Sequence, residues 1–489
     1  MYINSRFYEI ELHYPVENIK ANNIQVWPLI RFDIYNSLLG MYIHKFNYEE
    51  NRIKNMLLSK IRKNTNLKYN IFSLPNLLLR RRKYILFTDT LELRSFNGVI
   101  IDKISEGLFE VLGYDNFLVI ENPVNGHKPI NKCRQKNKVS SALISFLSYL
   151  IMQKQPTIND EDVLIKIKEK YCLNYNYRRI INRFFAYSKI YEKIFSIVKP
   201  KIIFVNCAYS LHSQAAIFVA NKLGIKTVEL QHGIINEKHV AYNIKKQFNQ
   251  FLFPKYLFVF GSYFKRFFEK DNYHINPKNV IPTGYYYLDL VKKQYKPMGE
   301  IMRLINKWKN AFKRIIVISS QTTVESKLLD FVIDVAKSDQ QDLYIFVPRV
   351  FNVENWKKVR KNNNVLYWQN EEMDIYKLFT IADIHVTVYS TCALEAIYFG
   401  LPNILVNIDN MSNLYLGRIF SKNDALTKIV NTKEEFINAL HNFSNINKEQ
   451  IESAAKEYHF YEQNHNQNLK EAIKFVLESK DNEGFKDNI

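Results

Sequence analysis

Short apolar runs alternate with longer amphipathic stretches over most of this 489-residue chain. Each run has the length of a strand buried on both faces of a sheet, and each amphipathic stretch has the length of a helix. Such alternation predicts β-α units arranged around parallel sheets. The strand candidates lie at 83–89, 116–121, 201–206, 226–231, 256–261, 314–320, 343–349, 364–369, 384–390 and 403–408.

The periodicity breaks at 280–300, where VIPTGYYYLDLVKKQYKPMGE carries two prolines and two glycines and predicts a hinge. The predicted fold class is therefore α/β, with two Rossmann-like domains facing each other across a cleft. Open α/β sheets bind ligands at the carboxyl ends of their strands, so the informative residues should lie on strand-to-helix loops. The predicted segments are an N-terminal extension (1–80), a first Rossmann-like domain (81–285), a second one (286–445), C-terminal helices (446–478) and a disordered tail (479–489).

Composition fits a soluble globular protein, with 47% hydrophobic and 24% charged residues. The four cysteines lie far apart, which predicts a reducing compartment rather than a disulfide scaffold. The N-terminus lacks a basic segment followed by an apolar run, so no secretory signal is expected. The longest compact apolar stretch, ALISFLSYLIM at 142–152, is far shorter than the ~20 residues of a membrane-spanning helix. We therefore expect a cytoplasmic protein.

The formal net charge of +20 suggests an anionic partner: nucleic acid, anionic lipid or an acidic substrate. Basic residues are spread along the chain, apart from local concentrations at 77–83 and 243–247. No nucleic-acid-binding motif is present, so specific nucleic-acid recognition is not expected. The pattern favours a diffuse basic surface suited to an acidic polymer or to peripheral contact with the anionic inner face of the cytoplasmic membrane.

The segment 382–409, ADIHVTVYSTCALEAIYFGLPNILVNID, carries the most specific signal. Ser390 and Thr391 lie between a predicted strand and a predicted helix, where free backbone N–H groups and the positive helix end favour a phosphate. Glu395, one turn later, is placed to accept hydrogen bonds from both hydroxyls of a ribose. The alternative interpretation is an N-cap serine followed by an ordinary surface glutamate.

These residues resemble the nucleotide-binding half of GT-B glycosyltransferases, in which a Ser/Thr-containing turn and a following Glu hold the nucleotide of an activated sugar. The resemblance extends to VISSQTT at 317–323, IPTGYYYLD at 281–289 and MDIYKLFTIAD at 373–383. It implies that the second domain binds a nucleotide-sugar donor and the first domain binds the acceptor. The nucleotide-binding residues it implies are Ser320, Gln321, Thr322, Ser390, Thr391 and Glu395.

The segment TVELQHGIIN at 227–236 resembles the QHG loop of bacterial enzymes that build surface polysaccharides, capsule or lipopolysaccharide, and of the related glycerophosphotransferases and Kdo/sialyl-type enzymes. The resemblance places Gln231, His232 and Gly233 in the cleft. His232 is the predicted general base, since an imidazole with an ordinary pKa near ~6.5 accepts a proton at neutral pH. Its alternative role is a hydrogen bond to a buried carbonyl.

Further acceptor-site candidates are His239 and Tyr242 on the same loop, which an ordinary surface loop would account for equally well. Ser210 follows another predicted strand, and helix capping accounts for it about as well. Arg349 stands where the glycerophosphotransferase and sialyl-type branches carry His-Pro, so the chain departs from them there. A guanidinium at that point still suits a diphosphate.

No Asp-x-Asp tract and no zinc-spaced His/Cys cluster is evident in the sequence, so neither a metal nor a cofactor is expected. The predicted function is metal-independent, inverting transfer of a sugar from a nucleotide-sugar donor to a glycan or lipid-linked acceptor. The alternatives are a UDP-N-acetylglucosamine 2-epimerase-like enzyme and a glycerophosphotransferase-like enzyme. A non-catalytic basic scaffold on membrane or nucleic acid is the alternative outside enzymes.

Overall fold

A computed structural model describes residues 2–38, 82–124, 126–151, 156–236, 239–269, 274–420, 426–443, 446, 448–456 and 458–479. The described strands, in chain order, are β1 Lys20–Ala21, β2 Ile24–Gln25, β3 Tyr84–Asp89, β4 Leu93–Phe96, β5 Val99–Asp102, β6 Phe117–Asn122, β7 Lys138–Ser140, β8 Ile158–Asn159, β9 Ile202–Val205, β10 Lys226–Leu230, β11 Tyr256–Val259, β12 Val280–Pro282, β13 Ile315–Ser319, β14 Leu343–Val347, β15 Val365–Tyr367, β16 Ile384–Thr387, β17 Asn403–Val406 and β18 Thr427–Val430.

The described α-helices are α1 Tyr2–His13, α2 Trp27–Leu38, α3 Glu106–Leu112, α4 Ser141–Leu150, α5 Glu161–Lys170, α6 Tyr177–Val198, α7 Leu211–Lys222, α8 Ser262–Phe268, α9 Tyr286–Gln294, α10 Gly299–Ala311, α11 Glu325–Ser338, α12 Val353–Val359, α13 Ile375–Phe379, α14 Cys392–Tyr398, α15 Arg418–Phe420, α16 Lys433–Phe443, α17 Lys448–Lys456 and α18 His465–Glu478. Within the described ranges, no helix combines the length and the apolar character needed to cross a membrane.

Contacts divide the chain into two compact units. The first unit comprises Met1–Leu93, Ile100–Gly284 and Gln463–Ile489, and the second comprises Arg94–Val99 and Tyr285–Glu462. Each unit contains one parallel sheet, which confirms the predicted α/β class with two Rossmann-like domains. Most of the predicted N-terminal extension and almost all of the predicted tail lie outside the described residues.

The sheet of the first unit has seven parallel strands in the order β7-β6-β3-β9-β10-β11-β12. Its interior strand β3 places apolar side chains on both faces of the sheet, because successive side chains of a strand point to opposite sides. Ile85 and Phe87 enter the core that includes α2, α6 and α7. Tyr84 and Leu86 enter a second core that includes Leu469 and other residues of α18. The final helix therefore belongs to the first unit.

The sheet of the second unit has six parallel strands in the order β15-β14-β13-β16-β17-β18. The chain fills the positions from β13 outward to β15, and then crosses back to add β16, β17 and β18 on the other side. This is the 3-2-1-4-5-6 order of dinucleotide-binding folds, whose topological switch point lies between the first and fourth strands. Here that point lies between β13 and β16.

All ten predicted strands are present, with ends that differ by a few residues. The apolar pattern did not predict β7, β12 and β18 in the two large sheets. These strands are three or four residues long and lie at sheet edges, so they lack the long apolar run that marks a strand buried on both faces. The segment predicted as a hinge, 280–300, contains the edge strand β12, which ends at Pro282, and the helix α9.

Candidate functional site

The polar loops of the second unit meet at the topological switch point of its sheet. Ser319 ends β13, and its Oγ lies 2.8 Å from Nε2 of buried His385 in β16. The hydroxyl of Thr387, at the end of β16, donates to the Ser319 carbonyl at 2.9 Å. The carboxyl ends of these two strands are therefore held in register. The loops that follow them start side by side.

Gln321 links the two loops. Its Nε2 donates to Thr387 Oγ1 at 3.0 Å, and its Oε1 accepts from the backbone N–H of Tyr389 at 3.4 Å. Thr323 and Tyr389 also form a hydroxyl–hydroxyl hydrogen bond across the same gap. The Gln321 side chain therefore holds the loop after β13 against the loop after β16. Thr322, between these residues, is exposed.

Ser320 is buried, in contrast to its neighbour Thr322. Its hydroxyl donates to Glu325 Oε2 at 2.9 Å, and the same oxygen accepts from the backbone N–H of Arg349 at 3.1 Å. The side chain predicted to bond a nucleotide therefore ties the loops after β13 and β14 together. Arg349 itself is exposed at the end of β14.

Two of the remaining nucleotide-site candidates, Ser390 and Thr391, are half-buried on the turn between β16 and α14. Ser390 Oγ accepts from the backbone N–H of Cys392 at 3.2 Å, which is the capping role considered as the alternative. Burial raises the pKa of the Cys392 thiol to about 12, while the Arg349 guanidinium acts in the opposite direction. The positive charge of Arg349 therefore acts at the turn that carries the two hydroxylated residues.

Glu395 is not the surface glutamate of the alternative interpretation, since only 6% of it is exposed. Its Oε1 accepts a hydrogen bond from the Tyr376 hydroxyl at 3.2 Å. The glutamate also acts to raise the pKa values of Tyr376, Tyr461 and Cys392, for each of which burial is the larger cause. The carboxylate therefore lies in a buried aromatic environment behind the turn. Its contact with a ribose stays a prediction.

In the first unit, the QHG loop follows β10. Gln231 is 1% exposed, and its side chain accepts from the Phe260 N–H and donates to the Gly233 carbonyl, both at 2.8 Å. The prediction that it faces a cleft is corrected: Gln231 fixes the shape of the loop from inside. Gly233 is half-buried, and a Cβ added there would meet no atom within 4 Å.

His232 is half-buried, and its Nε2 lies 3.1 Å from the hydroxyl of Tyr209. Burial strongly raises the pKa of Tyr209, so the phenol stays protonated and can donate this hydrogen bond to an unprotonated Nε2. Burial also lowers the pKa of His232, although Glu92 and the Leu230 carbonyl act in the opposite direction. The imidazole is therefore neutral at pH 7, the form that accepts a proton.

The remaining acceptor-site candidates differ in position. His239 lies against Tyr209, with ring centroids 5.8 Å apart, and burial lowers its pKa to about 4. Tyr242 is buried, and its hydroxyl donates to Glu229 Oε1 at 3.1 Å, so the surface-loop alternative does not describe it. Ser210 caps α7 by accepting from the Ser213 N–H, as its alternative interpretation proposed.

Two residues near the QHG loop were not predicted from the sequence. One is Tyr209, at the end of the β9 loop. The other is Glu229, on β10, which is 1% exposed and whose pKa burial raises to about 7. Both line a cavity with room of ≈50 Å³ for the centres of water-sized molecules, together with Arg31, Gln214, Tyr242 and His274. Only their position could have identified these two residues from the sequence, because each lies near the carboxyl end of a strand in the interior of the sheet.

A further group of residues that was not predicted from the sequence lies at the switch point of the first sheet, between β3 and β9. The Thr88 hydroxyl donates to Asp102 Oδ2 at 2.6 Å and accepts from Asn206 Nδ2 at 2.8 Å. Asp89, next along the chain, has its pKa raised to about 6 by burial and by the nearby Glu92. Titratable groups with shifted pKa values at such a position mark a candidate functional site.

Within the described ranges, no group of three or more His, Cys, Asp or Glu residues is arranged to hold a metal ion. Each unit thus places its candidates at the carboxyl edge of its own sheet. The expectation that the two edges share one groove stays a prediction.

No model of a protein family matches this chain, and no curated protein matches it. Among solved structures, it is similar to a putative UDP-N-acetylglucosamine 2-epimerase from Listeria monocytogenes. The TM-score is 0.51 at 12% identity, with 82% of this chain and 98% of that chain covered. It is also similar to the UDP-GlcNAc 2-epimerase of Methanocaldococcus jannaschii, with a TM-score of 0.50 at 12% identity over 80% of this chain and 99% of that chain.

The wall teichoic acid polymerase TagF also matches, with a TM-score of 0.47 at 11% identity over 89% of this chain and 98% of that chain. At such identities, the similarity to the two epimerases shows a shared fold and nothing further. The resemblance to the GT-B class is therefore confirmed as a resemblance of fold.

Proposed function

We propose that this chain is a glycosyltransferase whose second unit binds a nucleotide-activated sugar and whose first unit binds the hydroxyl-bearing acceptor. One observation carries the proposal: the second sheet has the 3-2-1-4-5-6 strand order, and the candidate nucleotide-binding loops follow the two strands at its switch point. Ligands of open α/β sheets bind at that point, next to the carboxyl ends of the strands.

The polar groups at this point suit a diphosphate. Exposed Thr322 and half-buried Thr391 offer hydroxyl groups, and exposed Arg349, whose backbone N–H bonds Ser320, offers a planar fork of N–H donors. These groups would stabilise the negative charge that develops on the departing nucleotide, so we propose transfer without a required metal.

His232 is the proposed general base. The acceptor hydroxyl gives its proton to the imidazole while its oxygen bonds to the anomeric carbon of the sugar. The bond between that carbon and the nucleotide oxygen breaks, and the nucleotide leaves with the electron pair. Attack opposite the leaving group inverts the anomeric centre. Burial favours this role, because it keeps His232 neutral at physiological pH.

The acceptor we propose is a growing glycan or a lipid-linked sugar of bacterial surface polysaccharide synthesis, used in the cytoplasm. This proposal rests on the resemblance of the QHG loop and on the groups beside it. Tyr209, which hydrogen-bonds His232, lines a small cavity together with Glu229 and Tyr242, and there a hydroxylated ligand finds both hydrogen-bonding partners and apolar walls.

An assay of donor consumption tests this function. Purified protein is incubated with CMP-, CDP-, UDP- and GDP-linked sugars, and nucleotide release is measured with and without a mixture of glycan and lipid-linked acceptors. We expect one donor to be consumed in an acceptor-dependent manner. Consumption of none, together with no stabilisation by any of the four nucleotides in a thermal-shift assay, would reject the proposal.

Arg349→Ala is the matching site variant, and Arg303→Ala is its control, since Arg303 is an exposed arginine of the same unit on α10. We expect Arg349→Ala to weaken nucleotide binding ~10-fold or more and Arg303→Ala to leave it unchanged. Equal affinities in the two variants would place the diphosphate elsewhere.

An epimerase-like reaction is the second candidate. The carboxyl edge of the first sheet carries acidic residues from more than one strand, in addition to those next to the QHG loop. Asp89, with its pKa raised to about 6, and Glu229, with its pKa raised to about 7, are suited to proton transfer at neutral pH. Conversion of UDP-N-acetylglucosamine to its C2 epimer without any acceptor would favour this function over transfer.

A further inference from the structure

Helix α4 of the first unit is strongly apolar and carries no charged residue. Residues 139–153 contain no Asp, Glu, Lys or Arg, in a chain of which 24% is charged. One side of the helix, which includes Leu143 and Ile144, is buried in the core. A helix this apolar is normally buried in a protein core, yet among the residues that the structure describes it is covered on one side only.

The uncovered side of α4 presents three large side chains at the spacing i, i+3 and i+4, which forms one stripe on a helix. Phe146 is 60% exposed, Tyr149 is 72% exposed and Leu150 is 64% exposed. Ile151, which caps the C-terminal end of the helix, extends the exposed apolar surface beyond this stripe and is 38% exposed. Contiguous exposed apolar side chains of this size mark an interaction surface.

Basic side chains border this stripe. A shallow depression is lined by Ile151 together with Lys189, Glu192, Lys193 and Ser196 of α6, the helix packed against α4. Lys189 and Lys193 are one turn apart and exposed, and Glu192 is the only acidic residue among the depression's lining.

A further exposed apolar residue, Ile197 at 47%, follows Lys193 by one turn of α6. Apolar and basic groups therefore alternate across the same surface. The combination is that of segments that insert apolar side chains below lipid headgroups while lysines contact anionic phosphates.

We propose that the stripe Phe146, Tyr149, Leu150 and Ile151, bordered by Lys189 and Lys193, docks this protein onto an anionic lipid bilayer. This inference goes beyond the proposed sugar transfer and does not depend on it. The chain's net charge of +20 favours an anionic surface as the occupant.

The experiment is co-sedimentation of the full-length protein with vesicles of neutral phosphatidylcholine and with vesicles containing ~30% phosphatidylglycerol, over a salt series. The wild-type chain should sediment with the anionic vesicles at low salt and much less with neutral ones. The double variant Phe146→Ser/Leu150→Ser should reduce vesicle-bound protein at least ~5-fold at physiological salt, where charge is screened and insertion matters more.

Two controls match these changes. Leu12→Ser removes an apolar side chain that is 57% exposed elsewhere on the first unit, and it should bind as the wild type does. Lys189→Gln/Lys193→Gln should weaken binding at low salt more than Lys168→Gln/Lys222→Gln, which removes the same charge from other exposed positions of the first unit. Circular dichroism and the melting temperature establish that each variant is folded.

Three results would overturn the proposal. The first is a wild-type chain that does not bind anionic vesicles at any salt concentration, and the second is Phe146→Ser/Leu150→Ser binding them as the wild type does. The third is a wild-type dimer in light scattering that this double variant converts to a monomer without any change in vesicle binding, which would assign the surface to self-association.

Discussion

The hydroxyl of Tyr209 lies 3.1 Å from Nε2 of His232, so the ring nitrogen expected to take a proton from the acceptor is already hydrogen-bonded within the first unit. Because the phenol stays protonated, it can donate to Nε2 of a neutral imidazole whose proton is on Nδ1, and this hydrogen bond stabilises that form. A base that is neutral, oriented and partly covered is prepared for catalysis, and the acceptor hydroxyl must replace the Tyr209 hydroxyl as its partner.

Removing the Tyr209 hydroxyl should shift the pH dependence of kcat/KM. Burial lowers the pKa of His232, so the acidic limb of kcat/KM for the wild type should lie below pH ~6.5. Tyr209→Phe takes away a donor that favours neutral imidazole, so the pKa of His232 should rise and the limb should shift to higher pH. The measurement is the pH–rate profile of both proteins.

Tyr191→Phe is the control for this variant, because Tyr191 hydrogen-bonds another histidine of the same unit, His212, at 2.7 Å. Its pH–rate profile should match that of the wild type. Identical profiles for Tyr209→Phe and the wild type would show that His232 does not govern the acidic limb.

Gly233→Ala should weaken acceptor binding without changing the stability of the protein. A Cβ at Gly233 meets nothing within 4 Å and the residue has no positive φ, so the melting temperature should change by no more than ~1 °C. If the backbone of the QHG loop approaches the acceptor, the added methyl group should raise KM for the acceptor several-fold while leaving nucleotide affinity unchanged. An unchanged KM would remove Gly233 from the acceptor site.

The stability of the first unit should depend on the protonation of Glu229. Burial raises the pKa of this carboxyl from 4.5 to about 7, so between these pH values the folded state binds the proton more tightly than the unfolded state. Wild-type stability should therefore fall as pH rises from about 4.5 to about 7, and the loss should be complete above that window. The amide side chain of Glu229→Gln does not ionise, so the stability of this variant should not fall for this reason.

Urea denaturation at pH 5 and pH 8 checks this prediction. The free energy of unfolding of Glu229→Gln, relative to that of the wild type, should be on the order of 2 kcal/mol higher at pH 8 than at pH 5. Glu169→Gln, which removes an exposed carboxylate from α5, should show no such trend. A parallel pH dependence for Glu229→Gln and the wild type would contradict the buried, proton-binding carboxyl.

Gly400 lies in the turn after α14, and its replacement by alanine should destabilise the protein more than the same replacement at a glycine with free space around it. Its φ is +74°, and a Cβ there would lie 3.0 Å from Lys448 Cβ and 3.1 Å from the Lys448 carbonyl oxygen. Gly224, with φ +71° and nothing within 4 Å of its Cβ, provides a control with the same backbone strain but no clash.

Both alanine variants should lose about 1 kcal/mol through the left-handed backbone, and Gly400→Ala should lose a further ~1–3 kcal/mol through overpacking. Chemical denaturation monitored by tryptophan fluorescence and circular dichroism measures both. Equal losses would mean that Lys448 moves aside at little cost.

The central strands of the two large sheets were predictable because a strand buried on both faces needs an unbroken apolar run, and runs of that length between amphipathic stretches favour strands over helices. The edge strands β7, β12 and β18 were not, since Lys, Ser, Pro or Thr interrupts their short apolar runs, whereas β15, also at an edge, lies in an unbroken one. The switch-point order of β13 and β16 was likewise invisible, because pairing between strands distant in the chain leaves no local pattern.

By itself, the sequence determined two α/β halves and the loops where ligand-binding residues should be sought, because apolar periodicity and chain breaks are local properties. Only the tertiary structure decided which side chains on those loops face inward. It buried Gln231, Ser320 and Glu395 in hydrogen bonds to other segments, and it placed Tyr209 on His232. Such partners come from loops and a helix that are distant in the sequence, and they meet only when the sheets and their covering helices form.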